Sequence, residues 1–169
     1  MAFTAPATRA TDFLVTAAVW NAEHVDNFNT AVMHLIARKA SDESVTNNTL
    51  QDDNDLIAPV GANEVWLFRW NLKVTLPITP QLKIAFTFPA SGDINVSGTE
   101  FAAGGTLTKV QFQGSTTPTA TQDFLGSTSN RHIVLEGVFV NAGTAGSLTL
   151  QWAQNVTNAS ATIMKANST

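Results

Sequence analysis

The sequence predicts an all-β protein, a jelly-roll-like β-sandwich preceded by one N-terminal amphipathic α-helix. Three observations carry that expectation. The hydrophobic period changes near residue 40, from helical spacing before it to two-residue alternation after it. The alternating runs are short, and Gly, Pro, Asn and Thr separate them at intervals typical of sandwiches. About two dozen threonines supply polar surface while favouring extended backbone. The division that follows is an arm and an attachment or oligomerisation helix over residues 1–40, and a β-sandwich display domain over 41–169.

Residues 1–14 contain Pro6 and show no period, so they read as an extended arm. The helix is expected over residues 16–39. Thr16 can cap its first turn, and Val15 and Trp20 stand where a hydrophobic staple would close. Val25, Phe28, Val32 and Leu35 then recur at three- and four-residue spacing, with Ile36 widening the stripe. Arg38 and Lys39 would complement the dipole at the helix end. That stripe suits three roles: packing on its own β domain, meeting copies of itself in a short coiled coil, or docking on another protein. The four stripe residues are the candidate oligomerisation or attachment site.

Residues 40–48 read as a polar connector. Strands are expected at 46–51 and 56–60, on either side of an acidic turn formed by Asp52, Asp53, Asn54 and Asp55; Pro59 assigns the second of them to a sheet edge. Residues 65–74 give the strongest strand, with Trp66, Phe68, Trp70 and Leu72 on one face and Arg69, Asn71 and Lys73 on the other. Leu82, Ile84, Phe86 and Phe88 alternate with Lys83, Ala85 and Thr87. Further strands are expected at 94–97, 107–112, 131–140, 148–152 and 161–165, while the Thr-rich stretch 114–130 reads as a loop.

Composition excludes several function classes. The 169 residues include no cysteine, which rules out disulfides and thiolate chemistry. Charged residues make up only 13%, and the nine basic ones form no run, so nucleic acid is not an expected partner. No apolar run approaches the roughly 18 residues of a membrane span, and the N-terminus lacks the apolar core of a secretory signal. No nucleophile elbow, P-loop or dinucleotide motif occurs, and His24, His34 and His132 lack metal-ligand spacing. The expectation is a non-enzymatic protein without cofactors. The only metal candidates are Asp52, Asp53 and Asp55; a turn explains them better than calcium, because the Gly and closing Glu of an EF-hand are absent. A carbohydrate- or receptor-binding module is the alternative. It would need an exposed aromatic or a polar loop cluster, whereas Trp66, Trp70 and Trp152 lie on faces expected to form the core.

Four segments carry a family resemblance. VTAAVWNAEHVDNF (15–28) resembles the T-A-A-x-x-N helix start of tailed-bacteriophage tail and fibre proteins. TLQDDNDLIAPVGANEVWLF (49–68), FTFPASG (86–92) and AGTAGSLTLQWAQNVTNASAT (142–162) resemble a β module of short phage virion proteins. The resemblance implies a structural component of the virion, assembled in the host cytoplasm: a tail fibre or spike, or a capsid decoration. It further implies a homotrimer that contacts other virion proteins and a host-surface receptor. Similar proteins continue past the A-T-x-x-x-A-x-S segment (161–168) into a basic strand, so the resemblance also implies an edge left open or covered by a neighbour.

Overall fold

Ten strands, all paired antiparallel, make up two sheets in a computed structural model that describes residues 35–101, 107–115, 122–124 and 130–169. They are β1 (Glu43–Val45), β2 (Gln51–Val60), β3 (Val65–Thr75), β4 (Leu82–Thr87), β5 (Asp93–Phe101), β6 (Leu107–Ser115), β7 (Gln122–Phe124), β8 (Asn130–Val140), β9 (Gly146–Ala153) and β10 (Thr162–Met164). One sheet has the order β1-β10-β3-β8-β5-β6 and the other β2-β9-β4-β7. From β2 to β5 the chain alternates between the sheets; β5 and β6 form a hairpin in one, and β7 to β9 alternate again.

Alternation in the sequence becomes two inner faces. Trp70, Leu72 and Val74 from β3, Ile133, Leu135 and Phe139 from β8, and Ile94 and Val96 from β5 are buried. From the other sheet they meet Leu56, Leu82, Ile84, Phe86, Phe124, Leu148, Leu150 and Trp152. Phe68, Trp70 and Phe86 form a tilted aromatic cluster with centroids 5.1–5.9 Å apart. Such rings bury large areas and add edge-to-face attraction to the burial itself. Trp70 and Trp152 are therefore core residues, and Trp66 packs partly buried against the core cluster.

The strand expected at 46–51 is absent, since residues 46–50 lie in no strand, and the one expected at 56–60 begins earlier, at Gln51. β2 runs through the acidic residues, and a register shift between Asp52 and Ile57 absorbs the irregularity. Pro59 does sit in an edge strand, because β2 ends its sheet. The β2–β3 turn is closed by Asn63 with φ 59° and by Glu64, whose carboxylate accepts from the Gly61 N–H at 2.7 Å and the Trp66 indole at 2.9 Å. Those two donors hold the Glu64 carboxyl below its ordinary pKa.

Three further expectations need correction. The connector 40–48 contains β1, which the β10 backbone recruits through Glu43↔Met164 pairing. The presumed loop 114–130 contains β7, and Phe124 there is fully buried opposite Leu82. Residues 35–40 are not helical. Lys39, expected to sit on the last helical turn, instead donates its backbone N–H to Ser168 O (2.8 Å) and accepts from Asn167 N–H (2.9 Å). The rest of the predicted helix, with Val25, Phe28 and Val32, lies outside the described residues. Ala37–Thr169 form one compact unit, so Lys39 and Ala40 belong with the sandwich.

Candidate functional site: the outer face of the six-stranded sheet

Because strand residues alternate faces, burying Trp70, Leu72 and Val74 forces Val65, Leu67, Arg69, Asn71 and Lys73 outward. On β8 the same logic turns Asn130, His132, Glu136, Val138 and Val140 outward. The β3–β8 register sets these residues side by side across the sheet and divides the face into three zones.

The first zone is apolar. Val65 lies opposite Val140 and Leu67 opposite Val138, so four aliphatic side chains form a cross-strand square. Leu67 is 82% exposed, Val65 66%, Val140 45% and Val138 37%. Directly opposed aliphatics normally stabilise a sheet by excluding water, yet these remain wet. The backbone beneath them is well fixed. Asn141 donates its side-chain amide to Gly61 O (2.7 Å) and Thr144 O (2.9 Å), tying the β2–β3 turn to the β8–β9 turn.

The adjacent edge is incomplete. Asn71 and Lys73 direct their backbone groups toward the C-terminal segment, where Thr169 exchanges bonds with Asn71 and Lys165 N–H reaches Lys73 O at 2.8 Å. By antiparallel alternation Val65, Leu67 and Arg69 point theirs the same way, and among the described residues no strand pairs with them there.

The middle zone is Arg69 facing Glu136, a solvent-exposed ion pair at 3.3 Å that contributes little stability. The third zone is cationic and aromatic. Lys73 lies opposite His132, and His132 opposite Phe101 of β5. The Phe101 and His132 rings stack at 5.6 Å and 23°. Lys165 stands beyond Lys73 and bonds Asp42. That ammonium, with the Ala166 N–H, holds the Asp42 carboxyl below its usual pKa. These residues border a hollow of about 680 Å³.

The acidic residues of β2 do not converge. Asp53 is fully buried; its Oδ2 accepts from Lys39 Nζ (2.9 Å) and the Trp152 indole (3.1 Å), and its Oδ1 from the N–H groups of Asp55 and Leu56. Lys39 Nζ also reaches Glu43 at 2.5 Å. Asp52 points outward to Gln151 at 2.9 Å, and Asp55 accepts from Ala40 N–H. Among the described residues no group of His, Asp or Glu is arranged to hold a metal ion. Of the predicted attachment residues only Leu35 is described; it is exposed and not helical.

Neither the apolar square nor the cationic row is visible as a motif, because each strand contributes one or two residues. The signal that does exist is local: Leu67 and Val138 are aliphatic residues at outward parity in strands whose inward parity is already hydrophobic. The chain matches no protein-family model, no curated protein and no solved structure.

Proposed function

We propose that this chain is a non-enzymatic structural protein of a bacteriophage virion, an outward-facing tail-fibre or spike component or a capsid decoration, built as a self-associating jelly roll. The observation that carries this reading is the strand order. Omitting the short β1 and β10, the eight strands β2–β9 fall into two four-strand sets, β2-β9-β4-β7 and β3-β8-β5-β6. That order fits two interlocked Greek keys, the architecture of many viral coat and lectin domains, and supports the jelly-roll reading. The four virion-like segments support the viral branch of that class over the others.

Self-association rests on the apolar square and on the side of β3 at Val65–Arg69 that, among the described residues, no strand pairs with. A second copy can cover the aliphatics and satisfy backbone groups of Val65, Leu67 and Arg69. The homotrimer comes from the resemblance, as do the other virion proteins and host receptor expected as partners. Antibody against the β unit, applied to intact particles carrying this chain, tests the location. Label on the tail is expected, label on the head would assign a decoration role, and absence of the chain from purified particles would refute the proposal.

A further inference from the structure

We infer that the hollow between β5, β8, β3 and the C-terminal segment is a binding site for an acidic saccharide, a pyranose bearing a carboxylate. The inference rests on the side chains themselves and holds whether or not the virion reading does.

The cationic row is an unusual thing for a sheet to build. Lys165, one residue past β10, Lys73 on β3 and His132 on β8 stand in one row across this face, Lys165 joined to Lys73 by a backbone hydrogen bond. The ammonium groups of Lys165 and Lys73 are like charges on adjacent segments, an arrangement that destabilises a sheet. Lys165 is neutralised by Asp42, but no described carboxylate answers Lys73. Arg131 also borders the hollow, but its guanidinium is paired at 3.5 Å with the buried Glu100, and that carboxylate does not reach Lys73. A bound anion would relieve this arrangement, and the Lys73 ammonium is the group placed to receive it.

The row ends in an aromatic surface. Phe101 is 46% exposed, and its ring is steadied by stacking on His132. An exposed ring held rigid offers an apolar plate to the C–H face of a sugar. Two further groups fit hydroxyls. Asn130 accepts from the Thr75 hydroxyl at 2.8 Å through Oδ1, which leaves its NH2 to donate. Asp42 retains acceptor capacity beyond Lys165 and the Ala166 N–H. The volume, about 680 Å³, is in the range of small-ligand sites and accommodates one or two sugar rings.

A single-stranded nucleic acid also pairs stacking with positive charge, but it needs a basic track and repeated aromatic platforms. Here one aromatic and one uncompensated lysine stand beside a carboxylate, on a chain of net charge −4. An isolated carboxylate on a sugar ring fits; a polyphosphate does not.

The test is calorimetric titration of the full chain with tetragalacturonate, with neutral galacto-oligosaccharide of equal length and with oligo-dT as the other arms. Tetragalacturonate is expected to bind, and the neutral sugar about tenfold more weakly or worse. Lys73→Met, which keeps the stem but removes the charge, and Phe101→Ala should each weaken tetragalacturonate about tenfold, whereas Lys83→Met on the other sheet should not. Lys73 and Phe101 are exposed, and unchanged far-UV circular dichroism verifies that the variants fold. The inference is overturned by no binding at millimolar tetragalacturonate, by equal affinity for the neutral sugar, by tighter binding of oligo-dT, or by folded Lys73→Met with wild-type affinity.

Discussion

Replacing Lys39 with methionine tests the structure at the point where the sequence misled most. The Lys39 and Asp53 side chains are 1% and 0% exposed and 2.9 Å apart. Removing one member of such a pair leaves the other buried without its counter-charge, which costs about 3–5 kcal/mol. Asp53 keeps three donors after the change, the Trp152 indole and the N–H groups of Asp55 and Leu56, so the expected loss is near the lower limit, about 3 kcal/mol. At about 2–4 °C per kcal/mol for a chain of this size, thermal unfolding should shift down by about 6–12 °C. Calorimetry at neutral pH reads the shift, and a cycle with Asp53→Asn isolates the pair term. A loss below about 1 kcal/mol would refute the reasoning, because that is the worth of a solvent-exposed pair.

The same lysine makes a pH prediction with a definite sign. Burial alone pushes its pKa down, but the hydrogen bonds and charges of Glu43 and Asp53 outweigh burial and hold it above the ordinary 10.5. Its contribution is therefore complete below pH 10.5 and is lost as pH rises through the higher folded value. Wild type should lose stability there by an increment that Lys39→Met does not show, measured as the difference between their alkaline melting curves. Gly137→Ala should destabilise by about 1–3 kcal/mol in urea unfolding, since a methyl there would stand 2.3 Å from Asn95 O and 2.8 Å from the Phe68 ring. Phe124→Ala should cost about 3–5 kcal/mol although it lies in a three-residue strand, because the ring is fully buried in the main core.

What could be read in advance was what two-residue alternation encodes. β3, β4, β8 and β9 follow from Trp66–Leu72, Leu82–Phe86, Ile133–Phe139 and Leu148–Trp152, whose inward residues are the core. The short strands were hidden because their reasons are not local. β1 exists through pairing with β10, 119 or so residues away in sequence, and β7 through one phenylalanine that fills a hole opposite Leu82. Lys39 resembled a helix-ending charge; only the fold brings it to Asp53, a residue that itself resembled part of a turn. The outer face was illegible for a geometric reason. Its rows run across the strands, so Lys73, His132 and Phe101 are neighbours in space while a linear scan finds scattered charges and an isolated ring.

That Lys39 belongs to the sandwich also decides how the N-terminal segment should be removed. A cut after residue 40 takes away the buried lysine and confounds assembly with folding, whereas deletion of residues 1–34 spares it.

The central claim, assembly of copies through the outer face, is tested most directly by multi-angle light scattering on the full chain and on Leu67→Asp/Val138→Asp. Both substituted side chains point to solvent, so the fold should persist. The account predicts a trimeric mass for the wild type and a lower mass for the variant. A monomeric wild type, or a folded variant that remains trimeric, would contradict it.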